Sequence, residues 1–224
     1  MIWSGLPLLI FGTSGISKEV KTIIDEINNR NYNNSFDFLG FVSEKVEDIG
    51  RNIGSCKVVC SDSCFEEYIS VFKQLGVVIP IGTPEIKRAI WDRVRRYSNL
   101  VYPNIISPSA QIMDQSSIEM GVGNIICSGC VLTTEIRIGN FNLINLNSSI
   151  GHNVILGDYG VINPLASISG NVEIEDGVLI GAGCAIKQGT TIRKKSIVGL
   201  GAIITKDVAD ESIMICQAAR ERKV

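Results

Sequence analysis

The sequence predicts an N-terminal α/β domain with a small parallel, Rossmann-like sheet (residues 1–103), followed by a parallel β-helix of hexapeptide repeats (residues 104–224). Two observations support this division. From Ile126 to Ile204 every sixth residue is Ile, Leu or Val. Upstream of Pro103, short apolar runs alternate with stretches whose apolar residues recur at helical spacing. A period of six fits neither a helix nor an alternating strand, and it is typical of a hexapeptide β-helix.

The α/β domain is predicted from alternating strand and helix patterns. Apolar runs bounded by glycine or polar residues predict strands, and apolar residues on one helical face predict helices. This alternation favours a parallel sheet. The predicted strands cover 6–12, 36–42 and 77–82, and the predicted helices cover 18–28 and about 84–97.

A glycine loop follows the first predicted strand and precedes the first helix. It consists of Gly12, Thr13, Ser14 and Gly15. Backbone N–H groups at such a position can bind phosphate, although the glycines are also compatible with a tight turn alone. The third glycine of the dinucleotide fingerprint is absent, so we expect a sugar nucleotide rather than NAD. Ser43 and Glu44 end the second strand, where a polar side chain could contact the base or ribose.

The hexapeptide region predicts a triangular prism with about three hexads per coil and about five coils. Its repeated aliphatic position is filled by Ile126, Leu132, Ile138, Ile144, Ile150, Leu156, Ile162, Ile168, Ile174, Ile180, Ile186, Ile192, Val198 and Ile204. The residue two before each of these should also point inward. Glycine and asparagine are common directly after the aliphatic, which predicts that the tight corner lies there. Ile118 is out of phase, so we expect a register slip near Gly121–Gly123.

Composition narrows the function further. The formal net charge of −2 gives no sign of a nucleic-acid partner, and no apolar run is long enough to span a membrane. Seven cysteines without an export signal favour reduced thiols in the cytoplasm. Cys127 and Cys130 fall within the hexad pattern and are interpreted as packing residues. Three further cysteines are spaced four apart, but without a fourth ligand we predict no metal site: Cys56, Cys60 and Cys64.

Several stretches of the sequence resemble one known family. They are 10–15, 39–42, 145–159, 162–170, 180–186 and 198–208. Together they resemble the PglD- and NeuD-like family of sialic acid O-acetyltransferases and nucleotide-aminosugar N-acetyltransferases. The resemblance covers nearly the whole chain. It implies a left-handed β-helix, a homotrimer, acetyl-CoA bound as co-substrate between neighbouring prisms, and an acceptor amine on a UDP- or GDP-linked sugar.

The resemblance also implies site residues. His152, the only histidine, matches the catalytic histidine of the family and would act as the base that deprotonates the acceptor. The family often carries an acidic residue directly after it, where this chain has Asn153, whose amide oxygen could accept the Nδ1–H. Asp158 and Glu135 are the two candidates for supplying the missing charge. The residues implied to contact acetyl-CoA are Gly170, Gly181, Ala182 and Gly199.

Other departures from the family pattern concern three positions. Val161 and Ile16 stand where the family has histidines, and Cys216–Arg220 lacks the glycine and proline of the family's C-terminal motif. The predicted function is acetyl-CoA-dependent N-acetylation of a nucleotide-linked amino sugar in surface glycan biosynthesis. Two alternatives remain at this stage, a sialic acid-type O-acetyltransferase and a non-catalytic trimeric scaffold. We expect a trimer in which the prism faces pack through Val154, Val161 and Val178.

Overall fold

The computed structural model describes residues 4–30, 34–218 and 222. The first part is a six-stranded sheet of order β3-β4-β2-β1-β5-β6, in which every pair is parallel except β3 with β4. Its strands are β1 (Leu6–Phe11), β2 (Phe36–Ser43), β3 (Asn52–Ile53), β4 (Cys56–Ser61), β5 (Leu75–Val78) and β6 (Leu100–Val101). Its helices are α1 (Gly15–Arg30), α2 (Phe65–Ile69) and α3 (Pro84–Val94).

Both faces of this sheet are covered, which explains why its central strand is an unbroken apolar run. Leu8 and Ile10 belong to the core that contains α1, whereas Leu9 and Phe11 belong to the core that contains α2 and α3. A parallel strand buried on both faces reads as continuous hydrophobicity rather than as alternation.

The α/β predictions are confirmed for the first two strands and for both helices, with two corrections. The strand predicted at 77–82 is β5, which starts earlier and ends at Val78. Pro80 lies just beyond it and cannot donate to a strand ladder. The last helix ends at Val94 rather than near 97. The short elements β3, β4, α2 and β6 were not predicted.

The second part of the described chain is a prism of three parallel sheets. The first contains β7 (Ile105–Ile106), β10 (Ile125–Ile126), β13 (Leu143–Ile144), β16 (Val161–Ile162), β19 (Leu179–Ile180), β22 (Ile197–Val198) and β24 (Ile213–Met214). The second contains β8 (Gln111–Ile112), β11 (Val131–Leu132), β14 (Ser149–Ile150), β17 (Ser167–Ile168), β20 (Ala185–Ile186) and β23 (Ile203–Ile204). The third contains β9 (Glu119–Met120), β12 (Arg137–Ile138), β15 (Ile155–Leu156), β18 (Glu173–Ile174) and β21 (Thr191–Ile192).

The repeated aliphatic position forms the core of the prism, as predicted. All fourteen of these side chains are at most 4% exposed. The residues two before them, from Cys130 to Ala202, are buried as well. Each strand therefore contributes its second residue to the interior and directs its first residue outward, and equivalent strands of successive coils pair in register.

The corner prediction is wrong by two residues. Left-handed backbone occurs three residues after the aliphatic, as at Asn153 (φ 58°) and Gly183 (φ 67°), not directly after it. The glycines directly after the aliphatic are required for a different reason. A Cβ on Gly181 would lie 2.6 Å from the backbone nitrogen of Leu200 in the next coil. These glycines let the coils stack closely.

The register slip is also misplaced in the prediction. Strands β8 and β9 end at Ile112 and Met120, eight residues apart, and a 3-10 turn at Gln115–Ser117 occupies the extra length. From Met120 to Ile126 the spacing is already six. Ile118 is the inward residue two before Met120 and packs against the prism core.

The two parts of the chain share a buried junction. Outward residues of the first prism sheet, including Ile105, Leu143 and Val161, join the core that contains α1. Lys87 of α3 is buried beside this junction, and its Nζ donates to the carbonyls of Phe141 (2.9 Å) and Gly160 (3.3 Å). Because burial disfavours the charged ammonium, the pKa of Lys87 is lowered to about 7.

The three valines expected to line a trimer face do not lie on a free surface. Val154 and Val178 point into the prism core, and Val161 packs against the α/β domain. All three occupy inward or covered positions of the hexad. The exposed large apolar side chains of the prism lie elsewhere, mostly in the last coils: Met113, Val122, Ile155, Leu165, Ile197, Leu200, Ile203, Ile213, Met214 and Ile215.

Candidate active site

The histidine singled out from the sequence lies at a corner of the prism. His152 follows β14, and Asn153 takes the left-handed conformation that turns the chain into β15. Both side chains are exposed. Backbone hydrogen bonds to the coils on either side hold the corner, because the Asn153 N–H donates to the Thr134 carbonyl (3.1 Å) and the His152 carbonyl accepts from Asn171 (2.8 Å). The imidazole is therefore presented from a rigid backbone.

Two side chains follow the imidazole in a hydrogen-bonded row. His152 Nδ1 lies 2.8 Å from Asn153 Oδ1, and Asn153 Nδ2 donates to Glu135 Oε2 at 2.5 Å. Glu135 lies at the same corner one coil earlier, eighteen residues back in the chain. Of the two acidic residues considered from the sequence, Glu135 reaches the site. Asp158 lies at a different corner, where it accepts hydrogen bonds from Asn140.

Gly170 lies at the same corner one coil later, directly against the imidazole. A Cβ at this position would lie 2.5 Å from both Cε1 and Nε2 of His152. The φ angle of Gly170 is not in the left-handed region, so close approach of the ring is what favours glycine here. The family resemblance implies that Gly170 contacts acetyl-CoA. The contact seen in the structure is with His152.

A cavity of about 410 Å³ opens beside this corner. It is lined by Ser117, Glu119, Glu135, Arg137, Asn153 and Ile155. Arg137 lies 3.4 Å from the carboxylate of Glu119, both on the third sheet. The cavity therefore adjoins Asn153 and Glu135 and combines carboxylates, one guanidinium and an exposed isoleucine.

The remaining glycines assigned to acetyl-CoA lie at a different edge of the prism. Gly181 and Gly199 follow β19 and β22 of the first sheet, whereas His152 and Gly170 follow strands of the second sheet. Ala182 is next to Gly181, and its carbonyl accepts from Gly201 (2.9 Å). The structure thus separates the predicted residues into two edges within one chain.

A second cavity, of about 380 Å³, lies at the carboxyl edge of the α/β sheet. Its lining includes Gly12, Glu44, Asp62 and Arg93, and the last two form a paired hydrogen bond with both distances 2.7 Å. Ligands of open α/β sheets bind at this edge. Gly12 needs its left-handed φ of 85° to turn the chain out of β1.

Of the residues predicted for the sugar nucleotide, Gly12 lines this cavity and the other four do not. Thr13 Oγ1 accepts from Arg51 (3.1 Å), and Ser14 and Gly15 are exposed at the start of α1. Ser43 is buried, and its hydroxyl donates to Asp48 at 2.5 Å. Glu44, rather than Ser43, therefore reaches the cavity. Glu44 directly follows strand β2, and at the end of a strand the direction of each side chain decides whether it reaches the cavity.

Two of the positions that depart from the family pattern fall in packed regions. Val161 is fully buried at the junction between the two parts of the chain, and Ile16 packs against the same core. Cys216 is exposed, while Ala219 and Arg220 of the C-terminal motif lie outside the described residues.

The cysteines show no features of a metal site. Burial raises the pKa values of Cys60 and Cys127 to about 12, which disfavours thiolate chemistry. Within residues 4–30, 34–218 and 222, no cluster of His, Cys, Asp or Glu could hold a metal ion. The helices in this part of the chain are all too short or too polar to span a bilayer.

Comparison with known proteins adds structural relatives. Neither protein-family models nor curated proteins give a match. Solved structures do. The acetyltransferase domain of PglB from Neisseria gonorrhoeae, in complex with acetyl coenzyme A, superimposes with a TM-score of 0.82 at 20% identity and covers 93% of this chain and 95% of that chain. The chain has the fold of these acetyltransferases.

Two further structures support this assignment of the fold. A mutant of perosamine N-acetyltransferase from Caulobacter crescentus, in complex with CoA and GDP-perosamine, gives a TM-score of 0.78 at 20% identity and covers 92% of each chain. WeeI from Acinetobacter baumannii gives 0.79 at 26% identity and covers 93% of this chain and 95% of that chain. The resemblance predicted from the sequence is confirmed at the level of the fold.

Proposed function

We propose that the protein transfers an acetyl group from acetyl-CoA to the amine of a nucleotide-linked amino sugar, as a step in glycan biosynthesis. The observation that carries this proposal is the exposed imidazole of His152, held at a rigid corner beside a polar cavity. The full-length similarity of the fold to CoA-binding sugar acetyltransferases supports the same class of reaction.

In the proposed mechanism, the neutral amine nitrogen attacks the thioester carbonyl and Nε2 of His152 takes one proton from that nitrogen. The carbon–sulfur bond then breaks, and the sulfur of CoA leaves with the proton that His152 returns. The products are the acetamido sugar and free CoA. The thioester supplies the driving force, and the protein supplies position and a base.

The position of the predicted CoA residues supports a site shared between chains. Gly181 and Gly199 lie on one prism edge and His152 on another. A cleft between two prisms would bring an edge of one chain opposite the site of its neighbour. We therefore propose a homotrimer of left-handed prisms, in which exposed apolar residues such as Ile203 and Ile213 take the packing role expected of the buried valines.

The nucleotide would bind in the cavity of the α/β domain. The loop Gly12–Gly15 and the start of α1 offer backbone N–H groups to the diphosphate. Glu44 lines the same cavity and could accept hydrogen bonds from ribose hydroxyls, and Arg93 adds positive charge partly neutralised by Asp62.

The test is a thiol-release assay with acetyl-CoA and a panel of UDP- and GDP-linked amino sugars, alongside free sugars that offer only hydroxyls. Thiol release that requires an amino nucleotide sugar supports the proposal. Release only with a hydroxylated free sugar would replace it with O-acetylation. Failure to bind acetyl-CoA by calorimetry would favour a non-catalytic trimer.

A further inference from the structure

We propose that Glu135 is a positioning residue that fixes the tautomer and orientation of His152 through the amide of Asn153. This inference rests on the proposed function, because it assigns Nε2 as the atom that accepts the proton. Its first readout does not depend on activity. His152, Asn153 and Glu135 form one row of hydrogen bonds.

The positions of Glu135 and Asn153 are set by the backbone. Both residues have left-handed backbone, with φ of 55° and 58°, at equivalent corners of successive coils. The N–H of Glu135 donates to Ser117 Oγ (2.9 Å), and the N–H of Asn153 donates to the Thr134 carbonyl (3.1 Å). The carboxylate and the amide are therefore held one coil apart at the spacing that a hydrogen bond needs.

The order of donors and acceptors along this row allows one arrangement. An ionised carboxylate only accepts hydrogen bonds, so Asn153 must direct its NH₂ group to Glu135. Its oxygen then faces His152 Nδ1, which must carry the proton in order to donate. Neutral His152 is thereby the Nδ1–H tautomer, and Nε2 keeps a free lone pair. The bond made by one ring nitrogen decides the protonation of the other.

The carboxylate of Glu135 also supplies the negative charge that Asn153 lacks. The other charged groups around the cavity are Glu119 and Arg137, which face each other at 3.4 Å. A nearby carboxylate favours imidazolium, so Glu135 should stabilise the His152 cation that forms during proton transfer. In this chain Asn153 contacts and orients the ring, and Glu135 carries the negative charge. A single acidic neighbour would provide both.

The first test is ¹⁵N NMR of the imidazole, which is simple to assign because the chain has one histidine. Above the titration range, the wild type should be mainly the Nδ1–H tautomer. Glu135→Gln should give a mixture, since a glutamine amide can accept from or donate to Asn153 and no longer fixes its orientation. A wild-type spectrum dominated by the Nε2–H tautomer would overturn the proposal, whether or not an acceptor sugar has been found.

The second test is kinetic. Glu135→Gln should lower kcat by about tenfold to a hundredfold, the usual effect of losing a group that orients a reactive ligand, with little change in the KM for acetyl-CoA. Glu211→Gln is the matched control. Glu211 is also an exposed glutamate with left-handed backbone, and it contacts Lys195 on the neighbouring coil.

The exchange variant Glu135→Gln/Asn153→Asp distinguishes positioning from a purely structural role. It keeps one amide and one carboxylate but places the carboxylate directly on Nδ1. It should recover most of the activity and restore the Nδ1–H tautomer. A double variant no more active than Glu135→Gln, or a Glu135→Gln protein with wild-type kcat and tautomer, would contradict the proposal.

Discussion

Gly170→Ala should impair catalysis without unfolding the prism. The added Cβ would lie 2.5 Å from Cε1 and Nε2 of His152 and 2.9 Å from Cδ2. Ordinary van der Waals contact begins at 3.4 Å, so the imidazole has to move by about 1 Å. The backbone of Gly170 is outside the left-handed region, and His152 is exposed, so the ring can swing outward at little cost in stability.

The magnitude follows from the displacement of the base. A misplacement of about 1 Å can lower a rate by about a hundredfold, equivalent to ~2.7 kcal/mol of transition-state stabilisation. We therefore expect kcat to fall by about tenfold to a hundredfold, with acetyl-CoA affinity nearly unchanged. The loss should appear in kcat because the imidazole acts on the acceptor in the transition state.

The assay is steady-state thiol release, accompanied by the NMR signal of the single histidine and by thermal unfolding. Gly82→Ala is the control, since a Cβ at Gly82 meets no atom within 4 Å. Wild-type kcat in Gly170→Ala, together with an unchanged imidazole signal, would refute the reasoning. A large loss of thermal stability would instead show that the ring cannot move away and that the coil has to deform.

Four further predictions concern stability, its pH dependence, assembly and ligand choice. Ile168→Asp should unfold the prism, because a carboxylate at a side chain now 2% exposed costs several kcal/mol, and a cooperatively melting, soluble variant would contradict this. Below about pH 7 Lys87 is protonated in both the folded and the unfolded protein, so folding has to bury its full positive charge. Above pH 7 the buried amine loses its proton, and this cost of folding decreases until the unfolded chain also loses the proton near pH 10.5. Stability from urea titrations should therefore rise between pH 7 and pH 9.5, and Lys87→Met should remove that rise; equal slopes would contradict it. Sedimentation equilibrium should give a trimer, and a monomer at micromolar concentration would exclude the shared site. UDP or GDP should stabilise the α/β domain in thermal shift, whereas a response to NADH alone would reverse the expected ligand.

The period of six was enough to predict the architecture, because it fixes which side chains point inward. Every residue from Ile126 to Ile204 in that series is buried as expected. The corner was misplaced because glycines after the aliphatic were attributed to backbone freedom. They are instead required by close stacking, as the contact between Gly181 and Leu200 illustrates. Composition alone does not distinguish these two uses of glycine.

The candidate site was predicted in part. His152 could be identified because it is the only histidine and lies in the stretch that resembles a known family. Glu135 and Gly170 could have been placed around it from the coil length, because eighteen residues per coil stack Glu135 under Asn153 and Gly170 over His152. The sequence could not show that Ser43 does not line the nucleotide cavity, because its hydrogen bond to Asp48 depends on the direction of a loop.

The errors over Val154, Val161 and Val178 have a common physical cause. An apolar side chain can pack between chains only where the fold leaves it exposed, but two of these valines occupy inward hexad positions and the third is covered by the α/β domain. Tertiary packing decides which face of the prism the α/β domain covers, and the hexapeptide repeat does not encode that packing.

The most direct test of the central claim is thiol release by wild type and His152→Ala, with acetyl-CoA and the panel of amino nucleotide sugars. The wild type should release CoA in proportion to acetylated amine. His152→Ala should lower kcat by about two to four orders of magnitude while binding acetyl-CoA with nearly the same affinity. Equal turnover by the two proteins at neutral pH would remove His152 from the chemistry and contradict the account.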